Sequence, residues 1–128
     1  MAEDFPVGTA EGFGFSADVM SADCPSRVIL QHMTSRWAAL VMIALTEGGR
    51  LRFSQLKRRI EGVSERMLAQ TLQVLEADGL VLRTAYEVVP PHVEYELTAL
   101  GAGAGQRMAE VGRWIEANVG ALGTGRRG

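Results

Sequence analysis

Arg66, Ala69, Gln70 and Gln73 interleave with Leu68, Leu72 and Leu75 at spacings of three and four. On a helix that spacing separates two faces, one of leucines and one polar. Arginine can fork to guanine and glutamine can pair with adenine, both in a major groove. Ala69 is small enough to let such a helix come close and to touch a thymine methyl. Ser64 stands where the helix should begin, and free backbone N–H groups there favour a phosphate. Ser54, Lys57, Arg58 and Arg59 come just before and are expected at a nucleic-acid backbone. Arg83 and His92 follow later and are expected to reach a neighbouring phosphate or a minor groove.

Little else in the chain could do chemistry. Cys24, His32 and His92 are its only cysteine and histidines, and no metal-ligand spacing links them. His32 lies eight residues after Cys24, beyond the i, i+4 pairing of a single helical face. Tyr86, Tyr95 and the carboxylates are scattered. The expectation is no enzyme, no metal and no cofactor. Cys24 precedes Pro25, hence sits at a helix start, where the dipole lowers a thiol pKa. Arg27 should help and Asp23 should oppose. Two roles follow: a small residue that caps or packs at a subunit interface, or a thiol that senses oxidants or electrophiles. A single cysteine per subunit limits oxidation to a mixed disulfide, an adduct or an intersubunit bridge.

These residues need elements to position them. Pro25 suits the first turn of a helix over about 25–33. Thr34 or Ser35 can cap a second, whose stripe is Trp37, Leu40, Val41, Ala44 and Leu45. Gly48–Gly49 ends it. Leu51–Phe53 reads as a short extended piece. Ser54 can cap a third helix with Phe53, Leu56 and Ile60 on one side, closed by Gly62. Ser64 then caps the leucine helix, with Val63 able to staple onto Leu68, and Asp78–Gly79 stops it. Leu80–Arg83 and Val93–Leu97 read as strands around a loop marked by Pro90–Pro91. Thr98 caps a final helix carrying Met108, Val111, Trp114, Ile115 and Val119. Its start, Gly101 to Gly105, is poor in helix formers and is expected to be loose. Two helices joined by about three residues with a glycine form a helix-turn-helix, and the hairpin behind them supplies a wing.

The bulk properties fit. With 128 residues, 47% hydrophobic and 22% charged, the chain can build one domain with a modest core. A chain this short buries roughly two thirds of its unfolded surface, so pairing with a second copy is a natural way to bury more. Net charge is −2, which does not suggest a nucleic-acid binder. The distribution does. Residues 1–26 carry five acids and no base, leaving 13 bases against 10 acids over 27–128. Six of those bases fall within 50–66. Residues 1–22 read as a flexible acidic arm with Phe5, Phe13 and Phe15, residues 23–119 as the domain, and 120–128 as a flexible Gly-rich tail. The longest apolar run, Trp37–Leu45, is too short for a membrane span. The first residues carry Glu3 and Asp4 rather than a basic stretch, so no secretory signal is expected. Cytoplasmic localisation follows.

The chain resembles the HxlR family of bacterial regulators over about residues 24–119. The matching residues are Cys24–Pro25, Arg36–Trp37, Arg52 to Leu56, Ser64 with the leucine seam, Gly79–Val81, and Pro90 to Thr98 with Gly101. Ser35 departs from the glycine usual in that family. The resemblance implies a winged helix-turn-helix, mainly α with a small β-hairpin. It implies a homodimer built from the first and last helices, acting on double-stranded DNA as a transcriptional regulator. Repression is the better expectation, since so compact a domain has no obvious spare surface for polymerase. Two reading helices would address two-fold-related half-sites about 34–36 Å apart, or a multiple of that. Some members sense oxidants through a cysteine at the place of Cys24. A further alternative is gating by a small molecule in a pocket at the dimer interface, lined by Trp37, Trp114 and methionines. Against it, both tryptophans can simply be core.

Overall fold

The computed structural model describes residues 17–123. Most of the proposed arm and half of the proposed tail lie outside that range. The described part of the arm is tied down: the Arg27 guanidinium donates to the carbonyls of Val19 at 3.2 Å and Met20 at 2.7 Å.

The element order is α1 (Pro25–Met33), α2 (Arg36–Gly48), β1 (Leu51–Arg52), α3 (Phe53–Arg59), α4 (Glu65–Ala77), β2 (Val81–Tyr86), β3 (His92–Leu97) and α5 (Ala99–Asn118). Apolar residues of α2, α3 and α4 meet the inner face of the hairpin in a single core. Val41, Met42, Leu45, Leu56, Leu68, Leu72 and Leu75 are its fully enclosed side chains. The stripe on α2 is rotated from the expected one. Ala38 and Met42 are buried, whereas Leu40 is exposed and Trp37 packs half-buried against the core.

The sheet has three strands in the order β1-β3-β2, both pairs antiparallel. β1 is short, but Leu51 pairs with Tyr95 and Arg52 with Glu94. The extended piece is therefore the third strand of the wing's sheet. β2 and β3 each run further toward the tip than their apolar residues suggest.

Helix starts are set by single side chains. Ser64 Oγ accepts from Met67 N–H at 3.0 Å, and Thr98 Oγ1 accepts from Gly101 N–H at 2.9 Å. Ser54 does not cap α3: the helix already begins at Phe53, after Arg52. There Gln55 Oε1 accepts from Arg52 N–H at 2.8 Å. Glutamine at the third helical position takes over the donor that a serine cap would have left. α3 ends at Arg59 rather than Gly62, and Gly62 makes the turn at φ 93°.

The start of α5 is not loose. Gly101, Gly105 and Ala109 are buried along one side. A Cβ at Gly101 would fall on the Leu80 carbonyl, and one at Gly105 on Thr46 Oγ1. At these glycines α5 meets the Leu80 backbone and the Thr46 side chain of α2, and that close approach compensates for their low helix propensity.

Candidate nucleic-acid interface

Burial of Leu68, Leu72 and Leu75 turns the opposite side of α4 to solvent. Arg66, Gln70 and Gln73 are exposed there and Ala69 is half-buried. Arg66 makes no ion pair or side-chain hydrogen bond among the described residues, so its guanidinium donors are open. The ridge has walls on both sides. On one flank Met67, Thr71 and Val74 line a cleft with Gln31, His32, Ser35 and Ala38. On the other, Ala69, Gln73 and Glu76 line a cleft with Arg83 and Tyr95 of the hairpin. The reading face thus runs between the α1–α2 turn and the wing.

The basic residues before α4 divide. Leu56 and Ile60 set the buried side of α3. Ser54 and Arg58, one turn apart and both exposed, lie opposite it; Lys57 and Arg59 fall on opposite flanks. Arg59 is engaged with Glu47 of α2 at 3.1 Å. Lys57, Arg58 and Arg83 have no ion pair among the described residues. At Ser64 the hydroxyl occupies Met67 N–H, leaving the other first-turn N–H groups of α4 available.

Arg83 and His92 are not brought together. Register pairs Arg83 with Tyr95 on the core side of the hairpin, and Tyr86 with His92 on the other. His92 stacks on Tyr86 with ring centroids 4.9 Å apart, and its Nε2 lies 3.1 Å from Glu94 Oε2. Arg50, counted from sequence in the positive patch, is committed to the same side. Its guanidinium donates to Glu96 Oε2 at 2.6 Å and to Tyr86 Oη at 3.0 Å, and lies 3.6 Å from Glu94. Glu96 beside it raises the Arg50 pKa above its ordinary value. With Glu94 and Glu96 on it, this outer sheet face is unattractive to phosphate. Sequence reading missed the network, although His92, Glu94 and Glu96 alternate with apolar residues at period two.

Cys24 is buried at the N-cap of α1. Ser26 Oγ–H donates to its Sγ at 3.0 Å and Asp18 N–H at 3.4 Å. Those hydrogen bonds, that of Ser26 first, lower the thiol pKa, while burial and the Asp18 charge oppose them. Arg27 points away to the carbonyls of Val19 and Met20, so the expected help from its charge is replaced by these two donors.

A cleft of about 460 Å³ opens between α2 and α5, with Leu40, Ile43, Met108, Val111 and Ile115 among its lining, but neither tryptophan is part of it. Nor are both tryptophans core, because Trp114 is 58% exposed on α5.

A leucine-anchored helix with an open polar ridge, preceded by a short helix and glycine turn and followed by a hairpin, is the winged helix-turn-helix of DNA-binding transcriptional regulators. Residues 32–122 match the HxlR-like helix-turn-helix model, and the chain belongs to that family. It is 54% identical over 102 residues to the HTH-type transcriptional regulator YtfH of Escherichia coli K12, covering 80% of each chain. Among solved structures it is similar to the transcriptional regulator YtfH of Salmonella typhimurium, with 49% identity, a TM-score of 0.77, and 83% and 94% of the two chains covered. It is also similar to the redox regulator HypR in its oxidised form, at 34% identity and a TM-score of 0.67, covering 74% and 97%. The family is one of transcriptional regulators, not enzymes. No single helix among the described residues is long and apolar enough to cross a membrane.

Proposed function

We propose that the protein is a cytoplasmic homodimer that represses transcription by reading a two-fold-related operator. The observation that carries this reading is the free polar ridge of α4. Arg66, Gln70 and Gln73 read base edges, while Ala69 allows close approach. Ser54, Lys57, Arg58, Arg83 and the start of α4 at Ser64 hold phosphates. Arg59 and His92 contribute less, since each already has a carboxylate partner. Dimerisation is supported by α1, an amphipathic helix with no buried residue. Val28 and Leu30 are exposed on it, as are Val111, Trp114 and Ile115 on α5 and Val119 at its C-cap. Apolar surface on two helices that both pack on α2 fits an interface with a second copy. Selection of bound sites from random duplexes tests the proposal and should return an inverted repeat. A single half-site, or no enrichment at low salt, contradicts it.

A second reading concerns the signal. The two hydrogen bonds held by the Cys24 sulfur stabilise a thiolate, and HypR, similar over most of this chain, is a redox regulator. In this reading oxidation of Cys24 at the start of a dimer helix releases DNA. Wild type should then lose the operator under diamide while Cys24→Ser keeps it. Equal release from both leaves Cys24 a packing residue.

A further inference from the structure

α1 is held to its own domain by little. None of its residues is buried, although Met33 packs against the core. Thr34 and Ser35 close the turn to α2 locally, donating to Leu30 O and His32 O. One side-chain hydrogen bond reaches from α1 into a distant part of the domain among the described residues. His32 Nδ1, in its last turn, lies 2.8 Å from Asp78 Oδ2. Asp78 is the C-cap of α4, and its side chain is 10% exposed. A carboxylate at a helix C-terminus faces the negative end of the dipole and is unfavourable without a partner. His32 is that partner. The bond therefore ties the end of the helix proposed for dimerisation to the end of the helix proposed to read bases.

We propose that His32 is a positioning residue that sets which half-site spacing the dimer accepts. This rests on the two-fold reading above. In a two-fold dimer, the tilt of α4 relative to α1 in each subunit fixes the separation and angle of the two reading helices. DNA is unforgiving of errors there, since each added base pair shifts a half-site by about 3.4 Å and turns it by about 35°. A strut at the far end of α4 acts on a long lever.

The test uses the full chain and paired half-sites from the selection, separated by spacers that vary one base pair at a time. Wild type should favour one spacer over its neighbours by about tenfold, the scale of one charge-assisted hydrogen bond. His32→Gln, whose amide can still donate to Asp78, should keep that profile. His32→Leu should flatten it to within about threefold, and Asp78→Ala, which lies in neither cleft beside the ridge, should do so with affinity for a single half-site changed less than about twofold. Asp78→Ala decides the matter if His32→Leu does not melt cooperatively. A wild-type spacing profile in both bond-breaking variants overturns the proposal and leaves the two-fold reading standing. A wild type that selects no paired half-sites overturns both.

Discussion

Gly101→Ala should destabilise the protein by about 2 kcal/mol, although alanine is the better helix former. Helix propensity favours the change by about 1 kcal/mol. The new methyl falls on the carbonyl oxygen and carbon of Leu80. That peptide cannot step aside. Leu80 N–H donates to Leu75 O at 3.0 Å, and Leu80 O accepts from Thr98 N–H at 3.0 Å. Overpacking costs about 1–3 kcal/mol even where side chains can rotate away, so about 3 kcal/mol is reasonable against fixed backbone. The difference should lower Tm by roughly 7–9 °C at fixed protein concentration. Gly112→Ala is the control. Its methyl would meet only the Ile43 Cδ1 methyl, at 3.2 Å. There propensity should win, raising Tm by a few degrees, about 0.5–1 kcal/mol. Thermal melts followed by circular dichroism read both. A Gly101→Ala variant melting at or above wild type would refute the close packing of α5.

Three further outcomes follow. Ser64→Ala removes the cap of α4 and should cost about 1 kcal/mol in urea denaturation; an unchanged midpoint would deny that the hydroxyl holds the helix start. Cys24 should alkylate with an inflection below that of an unfolded thiol, because Ser26 and the Asp18 amide donate to the sulfur, and Ser26→Ala should move the inflection up. Identical profiles for wild type and Ser26→Ala would refute that cause. Lys57→Ala and Arg58→Ala should each weaken binding to every duplex alike and flatten the salt slope by about one; a change in base preference instead would move those residues from phosphate to bases.

Much of the fold was legible because local rules and tertiary packing agree. The leucine seam of α4, its Ser64 cap and the Thr98 cap each depend on residues within one helical turn. What was not legible depends on distant partners. The glycines of α5 look like weak helix in the sequence, and only the Leu80 carbonyl beside Gly101 and Thr46 beside Gly105 explain them. Arg50 reads as part of a positive patch until Glu94 and Glu96 from β3 are set beside it. Ser54 was the better cap by residue type, yet Gln55 reaches back first. The polar ridge was readable because Arg66, Gln70 and Gln73 are defined by the leucines between them. That Arg83 and His92 cannot serve the same contact was not, because strand register puts them on opposite faces.

The most direct test of the account is base preference in variants of the ridge. Binding to a panel of single-base operator variants should show Arg66→Ala and Gln70→Ala each losing discrimination at one position per half-site, worth about 1–3 kcal/mol, with preference elsewhere intact. Variants that bind every sequence in the panel with the wild-type order of preference would mean that α4 does not read the bases.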